Sequence, residues 1–355
     1  MDRIGIGLIG TGNISEIYLT NARRFDHLNL VACADINPAA AAAKAQAHGI
    51  EALTPEALLA DPRIEIVLNL TTPQHHVPVG LQVLAAGKHL YAEKPLATTF
   101  ADGQRLVAEA TRRNLRIGSA PDTFLGGSHQ TARAALDAGT IGAPRAGTCF
   151  MMVPGHELWH PNPDFYYAEG GGPMLDMGPY YLTCLVNLLG PVARVTGAHR
   201  AATTTRTIAS GPRAGTVVPV TVPTHISGIL DFAAGPQVTI TTSFDVWKHD
   251  HGHIEIYGDT GAMLVPDPNR FDGTVSVAQG KGDWHALPMT HAYGDDNWRI
   301  LGLADMASAL REGRPHRANA AVALHVLEVM EKIVQSGTEG RRLEVETRCE
   351  RPEGM

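Results

Sequence analysis

One short segment limits this chain more than any other. The apolar run Ile4-Gly5-Ile6-Gly7-Leu8-Ile9 leads straight into Gly10-Thr11-Gly12-Asn13-Ile14-Ser15. A strand that ends in a glycine turn and opens a helix is by itself an ordinary strand–helix turn; together with Asp35 downstream it predicts a nucleotide-binding α/β unit. The first glycine allows the tight turn, and the second lets a pyrophosphate approach the backbone. The helix N-terminus then offers N–H groups and a positive dipole end. Ser15 replaces a third glycine and is small enough for close helix–strand packing. Asp35 follows 23 residues after Gly12, at the end of the second predicted strand, where a carboxylate can accept hydrogen bonds from an adenosine ribose. It would repel a 2′-phosphate, and Ile36-Asn37 supplies no arginine to bind one, so NAD is expected over NADP.

The alternation continues. Arg3 to Ile9, Leu28 to Ala34, Ile64 to Leu70, His89 to Ala92 and Arg116 to Ala120 read as strands. Helices are expected from Ile14 to Arg24, Pro38 to His48, Val77 to Ala86 and Phe100 to Asn114, which predicts a parallel sheet with crossover helices. After about Pro121 the period changes. Short alternating strands such as Val238, Ile240, Thr242, Phe244 and Val246 occupy 145–153 and 192–280, before helices return from Asn297 to Leu310 and Asn319 to Ser336. With 355 residues and roughly 150 per domain, two domains are expected: 1–122, α/β, and 123–355, α+β with a mostly antiparallel sheet.

Composition narrows the partners. A formal charge of −7 and a pI near 6.2 argue against nucleic-acid backbones and anionic membranes. No apolar run approaches the ~20 residues that span a bilayer, and the first residues lack the marks of a signal peptide. Cys33, Cys149, Cys184 and Cys349 are scattered without a C-x-x-C pair, so neither a disulfide framework nor a cysteine zinc site is indicated. The cytoplasm is the expected compartment.

Two motifs carry chemistry. Glu93-Lys94-Pro95 ends a predicted strand, where a lysine can hydrogen-bond a substrate hydroxyl and stabilise its developing alkoxide. Alone, that tripeptide is common on surfaces. In the second half, Asp176 and Tyr180 follow Gly170-Gly171-Gly172 and share a face if the segment is helical. A carboxylate beside a phenol suits proton transfer from an alcohol; the plainer alternative is a helix cap and a packed tyrosine.

His156-Glu157-Leu158-Trp159-His160 formally matches the zinc-protease pattern H-E-x-x-H. Pro154-Gly155 before it and Pro161-Asn162-Pro163 after it predict a loop or single turn rather than the helix such a site needs, so no metal is expected. Trp159 offers a flat face to a sugar ring, and His156 and His160 can bond hydroxyls; a packed surface loop is the alternative. Asp245-Val246-Trp247-Lys248-His249-Asp250-His251 is a further polar-aromatic cluster whose role the sequence leaves open.

In combination, the Gly10-x-Gly12 turn, Gly87-Lys88-His89 leading into Glu93-Lys94-Pro95, and Gly170-Gly171-Gly172…Asp176-x-Gly178-x-Tyr180 resemble the Gfo/Idh/MocA oxidoreductase family along nearly the whole chain. The resemblance implies a Rossmann domain followed by a domain on a large, mainly antiparallel sheet, and a nicotinamide dinucleotide as cofactor. It also implies sugar, inositol or polyol substrates, a cis Lys94–Pro95 peptide and a homodimer or homotetramer. Gly10, Gly12, Asn13, Ile14, Asp35, Thr71, Thr72, Pro73, His76, Glu93 and Lys94 are then expected along the cofactor. Many members have histidine where this chain has Tyr180. The glucose–fructose oxidoreductase and dihydrodiol dehydrogenase branches look more similar, with tyrosine there. Tyr180 is therefore the expected acid/base, with Lys94 and Asp176 as its catalytic partners. The loop from Gly118 to Phe124 departs from the family pattern, and Asp122 is its substrate candidate.

The expected function is an NAD-dependent sugar or polyol dehydrogenase, with the substrate hydroxyl between Lys94 and Tyr180. One rival is a redox-neutral glycosidase that oxidises, eliminates the aglycone and re-reduces. The other is a non-catalytic NAD-binding regulator, against which intact Lys94, Asp176 and Tyr180 count.

Overall fold

Strand β1 (Ile4–Ile9) is buried along its whole length, with Ile4, Ile6 and Leu8 at most 1% exposed. A strand covered on both faces needs apolar residues continuously rather than alternately, which accounts for the absence of polar positions in this run. In the computed structural model, which describes residues 3–355, β1 lies inside a parallel sheet ordered β3-β2-β1-β4-β5-β6. The other strands are β2 (Leu28–Ala34), β3 (Glu51–Ala52), β4 (Ile66–Asn69), β5 (His89–Ala92) and β6 (Ile117–Ser119). Helices α1 (Ser15–Ala22), α2 (Pro38–His48), α3 (Pro55–Ala60), α4 (Pro73–Ala85) and α5 (Phe100–Arg112) connect them. The strand order reverses between β1 and β4, and ligands bind outside the carboxyl ends of strands at such a switch point.

The sequence reading did not anticipate β3 and α3. Both are short, at two and six residues, so neither offers enough periods of a pattern to recognise. The alanine run forms α2 as expected. Asn37 Oδ1 accepts the Ala39 N–H at 3.1 Å, Pro38 starts the first turn, and Gly49 ends the helix in the left-handed region.

The second unit is built on a nine-stranded sheet ordered β16-β15-β14-β13-β7-β12-β11-β8-β17. Its strands are β7 (Pro144–Met152), β8 (Val192–Arg200), β11 (His225–Phe232), β12 (Gln237–Ser243), β13 (Ile254–Gly258), β14 (Gly261–Val265), β15 (Ser276–Gln279), β16 (His285–Ala286) and β17 (Leu343–Glu344). Every neighbouring pair is antiparallel except β7–β12. A separate hairpin pairs β9 (Thr205–Thr207) with β10 (Val217–Pro219). Helices α6 (Gly127–Asp137), α7 (Asp164–Tyr167) and α8 (Gly172–Leu189) belong to this unit, and α8 packs on β7, β11 and β12. Tyr181, Leu182, Leu185 and Val186 of α8 are at most 2% exposed, and full burial of each aliphatic side chain stabilises the fold by about 1.5–3 kcal/mol.

The expected boundary at 122/123 misses one return of the chain. The first compact unit runs to Thr123 and then takes back Asn297–Leu324, which contains α9 (Leu301–Glu312) and the start of α10 (Ala320–Glu339). Asp122 is the physical reason. Its Oδ2 accepts the N–H groups of Ile300 at 3.0 Å and Gly302 at 2.9 Å. Ile300 adopts φ +98°, a region costly for a β-branched residue, so the start of α9 is held there by its surroundings. Among the described residues, no helix is long and apolar enough to cross a membrane.

Candidate functional site

In the first unit the site grows from the ends of β1, β2, β4 and β5. Gly10 has φ +100°, and a Cβ there would lie 2.6 Å from the Leu70 carbonyl carbon, so β1 and β4 meet only because the side chain is missing. Gly12 is exposed, and a Cβ on it would meet nothing within 4 Å, which leaves its backbone open to a ligand. Asn13 and Ile14 are exposed beside it, and α1 starts without a side-chain cap. Such an uncapped turn and helix start suits a pyrophosphate.

Asp35 Oδ2 accepts the Thr11 N–H at 2.7 Å and the Thr11 hydroxyl at 3.0 Å, while Oδ1 accepts the Asn37 N–H at 2.9 Å. Against the cost of its partial burial, the Asn37 and Thr11 hydrogen bonds hold this carboxyl below its ordinary range. The acid is thus an anion fastened to the glycine turn, and neighbouring Ile36 is 97% exposed. An anionic acceptor, an open turn and an apolar shoulder fit the ribose, pyrophosphate and base of a dinucleotide.

Thr71 is placed by Asn69 at the end of β4, whose Oδ1 accepts the Thr71 hydroxyl at 2.7 Å. Thr72 and Pro73 open α4 and are at least partly exposed. His76 sits differently from expectation. It is 1% exposed, and its ring nitrogens face the Pro95 and Thr71 carbonyl oxygens at 2.7 and 2.9 Å, so it ties two loops together from behind. Burial pushes its pKa down. Glu93 is likewise a support. Its carboxylate accepts the Tyr18 hydroxyl at 2.6 Å and the Lys94 N–H at 2.9 Å, anchoring the end of β5 to α1. Lys94 itself is partly exposed, and its bond to Pro95 is cis, as is Ala120–Pro121. Asp122 is not open to substrate: it is 1% exposed and committed to the backbone at the start of α9.

In the second unit Asp176 and Tyr180 do fall one turn apart on α8. The glycines before them are needed: Gly172 has φ +87°, and a Cβ on Gly171 would lie 2.2 Å from the Phe165 carbonyl oxygen. Pro179 lacks the N–H that would donate to the Leu175 carbonyl, which loosens the helix between the two residues. His156 comes to Asp176 from a single 3₁₀ turn, with Nε2 3.1 Å from Oδ2.

That turn also disposes of the zinc-protease pattern. Glu157 is buried, where it accepts the Tyr167 hydroxyl and, at 3.1 Å, Arg206 Nη1. Arg206 continues to Asp245, which also accepts the Thr224 hydroxyl at 2.7 Å. His160 Nδ1 accepts the Asn162 N–H at 3.1 Å. Trp159 projects with 61% of its surface exposed.

The sequence reading missed the residues that hold these positions: Thr11, Tyr18 and Asn69 in the first unit, Tyr166, Arg206 and Phe244 in the second. The spacing of Tyr18 on α1 marks it as inward-facing, and Asn69 acts on Thr71 two residues on; nothing local marks the others, whose partners lie ten or more residues away.

Comparison with known proteins agrees with this construction. Residues 4–120 match the oxidoreductase family with an NAD-binding Rossmann fold, and residues 129–264 match the GFO/IDH/MocA C-terminal domain. A 1,5-anhydro-D-fructose reductase from Ensifer adhaerens is 25% identical, covering 96% of this chain and 98% of its own length. An inositol 2-dehydrogenase from Rhizobium meliloti is 26% identical, covering 96% and 99%. The fold is shared with an NAD binding oxidoreductase from Klebsiella pneumoniae, at a TM-score of 0.85 and 21% identity over 97% of this chain and 99% of that one. An N-terminal NAD-binding Rossmann fold and the matching C-terminal domain in one chain lead to one conclusion: this protein belongs to the GFO/IDH/MocA family of oxidoreductases.

Proposed function

We propose that this oxidoreductase is a dehydrogenase acting on a hydroxyl of a sugar or polyol, with NAD preferred over NADP. The observation that carries the reading is the α8 constellation, in which Asp176 and Tyr180 share a face and His156 bonds the carboxylate. Anhydrofructose and inositol, named for the two relatives, are polyhydroxylated rings, and exposed Trp159 offers such a ring a flat apolar face.

The dinucleotide is proposed to lie on Gly10, Gly12, Asn13 and Ile14, with Asp35 accepting from the adenosine ribose and Thr71, Thr72 and Pro73 beside it. The bound nicotinamide supplies the hydride acceptor for oxidation or the donor for reduction. Lys94 hydrogen-bonds the reacting hydroxyl and stabilises negative charge on its oxygen. Tyr180 takes the hydroxyl proton, and Asp176 tunes that transfer electrostatically. Four buried free cysteines are consistent with the cytoplasm as compartment. Half-exposed Ile229 and Tyr257 on the large sheet offer apolar surface for a homodimer or homotetramer.

The test is one assay with NAD against free sugars, polyols and chromogenic glycosides, following NADH and released aglycone together. NADH without aglycone supports the dehydrogenase. NAD-dependent aglycone release without net NADH would replace it with the glycosidase. Lys94→Ala is expected to lower turnover by roughly 10²-fold or more with dinucleotide binding retained; an active variant sinks the assignment.

A further inference from the structure

Glu157 and Asp245 are carboxylates that folding has largely buried, and one guanidinium answers both. Arg206 Nη1 donates to Glu157 Oε1 at 3.1 Å, and Nη2 donates to Asp245 Oδ1. None of the three side chains is more than 15% exposed. The other two carboxylate oxygens are also engaged: Glu157 Oε2 accepts the Tyr167 hydroxyl, and Asp245 Oδ2 accepts the Thr224 hydroxyl at 2.7 Å. Gly155 leaves room for this arrangement, since a Cβ there would lie 2.0 Å from Glu157 Oε2. A planar fork of donors can serve two acceptors at once, which the point charge of a lysine does not.

The arginine comes from outside the large sheet. It is the middle residue of β9, which pairs with β10 in the separate hairpin. The same stretch also ties backbone to the 156–167 segment. The Ala209 N–H donates to the Glu157 carbonyl at 2.8 Å, and the Thr221 N–H donates to the Tyr167 carbonyl at 2.9 Å. Within the segment so held, exposed Trp159 and Phe165 flank His160, with ring centroids 5.3 and 5.5 Å from it. His160 Nδ1 accepts the Asn162 N–H, so in the neutral ring Nε2 carries the hydrogen and can donate. Two aromatic faces and a donor between them suit a ring that bears hydroxyls.

We propose that Arg206 is a positioning residue for substrate selection: by answering Glu157 and Asp245 together it fixes the 156–167 segment, and with it the aromatic faces that meet the substrate ring. The proposal rests on the dehydrogenase reading above. Asp176 and Tyr180 stand on α8, which packs on β7, β11 and β12, so loosening the hairpin acts on substrate binding more than on the chemical step. It also gives the open cluster that begins at Asp245 a fixed point, because Asp245 bridges to Pro154 just ahead of the same segment.

Removing Arg206 alone would leave two buried anions facing each other, so the test variant carries Arg206→Met, Glu157→Gln and Asp245→Asn together. D-glucose and myo-inositol, within the panel of free sugars and polyols, are the ring probes. The variant is expected to raise KM for its substrate roughly tenfold to a hundredfold, with kcat and the Kd for NAD within a few-fold of wild type. Its discrimination between the two probes narrows, whereas simple loss of folded protein would lower both rates alike. Amide hydrogen exchange over 156–167 is expected to speed up while α8 keeps its wild-type rate. A folded variant with wild-type KM, or with wild-type exchange over 156–167, overturns the proposal. If the combined variant does not fold, Arg206→Lys decides: it keeps the charge but not the fork, and a wild-type KM in it overturns the proposal equally. Should the wild type reduce NAD with no member of the panel, the dehydrogenase reading fails by itself, and the exchange measurement alone decides whether Arg206 holds the segment.

Discussion

Around Gly10–Asp35 the backbone is the working surface, and side chains serve to hold it open. Thr11 and Asp35 bind each other, Asn69 positions Thr71, and the glycines contribute by lacking a Cβ. Around His156–Tyr180 the arrangement is reversed. There the backbone delivers side chains: a proline-loosened helix presents Asp176 and Tyr180, and a 3₁₀ turn brings His156 to them. A region that recognises a fixed cofactor can be built from backbone, which is the same in every protein. The region proposed to select a substrate and move a proton uses side chains, whose placement depends on distant partners such as Arg206 and Phe244.

If that contrast is right, the largest effect of a single side-chain change falls in the second region. Tyr180→Phe is expected to lower kcat by roughly 10²–10⁴-fold, with NAD affinity by fluorescence titration within a few-fold of wild type. A comparable loss in NAD affinity would erase the division of labour.

Asp122 sharpens the comparison from the first unit, because it is an acid used for architecture. Burial pushes its pKa up to about 6, against the opposing Gly302 and Ile300 N–H groups. In the unfolded chain it titrates near about 3.9, so between those values the folded state holds the extra proton and stability falls as pH rises. The wild type is expected to lose about 3 kcal/mol from this group across that window, all of the loss being present above pH 6. Urea unfolding from pH 4 to 7 should show that slope in wild type and not in Asp122→Asn.

Asp35→Ala should raise the Kd for NAD about tenfold, as loss of a charged acceptor predicts, and narrow the preference over NADP, both readable by titration. The smallest effect is expected at Arg213, whose two bonds to Asp164 at 2.6 and 2.8 Å lie at the surface. Arg213→Ala should leave the denaturant unfolding midpoint essentially where it is in the wild type.

The first region was readable almost residue by residue. β2 and β5 run over the residues the apolar pattern marked, and the glycine turn and Asp35 lie where spacing put them, because strand, turn and helix are set by near neighbours. The second region was readable only in part. Asp176 and Tyr180 follow from helical spacing, yet Tyr166 and Phe244 around His156 come from α7 and the end of β12, a relation no local pattern encodes. Glu93, His76 and Asp122 show the converse: the resemblance put the first two along the cofactor, whereas in the fold Glu93 ties the Tyr18 hydroxyl to the Lys94 N–H, His76 lies between two backbone carbonyls and Asp122 binds two backbone N–H groups.

What the sequence by itself determined is therefore the order of elements, the parallel and antiparallel character of the two sheets, the cofactor turn and the acid–phenol pair. These follow from hydrophobic period, glycine geometry and spacing within one element. Tertiary structure alone decided that Asn297–Leu324 returns to the first unit, that Asp122 holds α9, and that His156 meets Asp176. Each of these joins residues 20 or more apart through a buried or partly buried polar group, and such a group finds its partner only when the chain has closed around it.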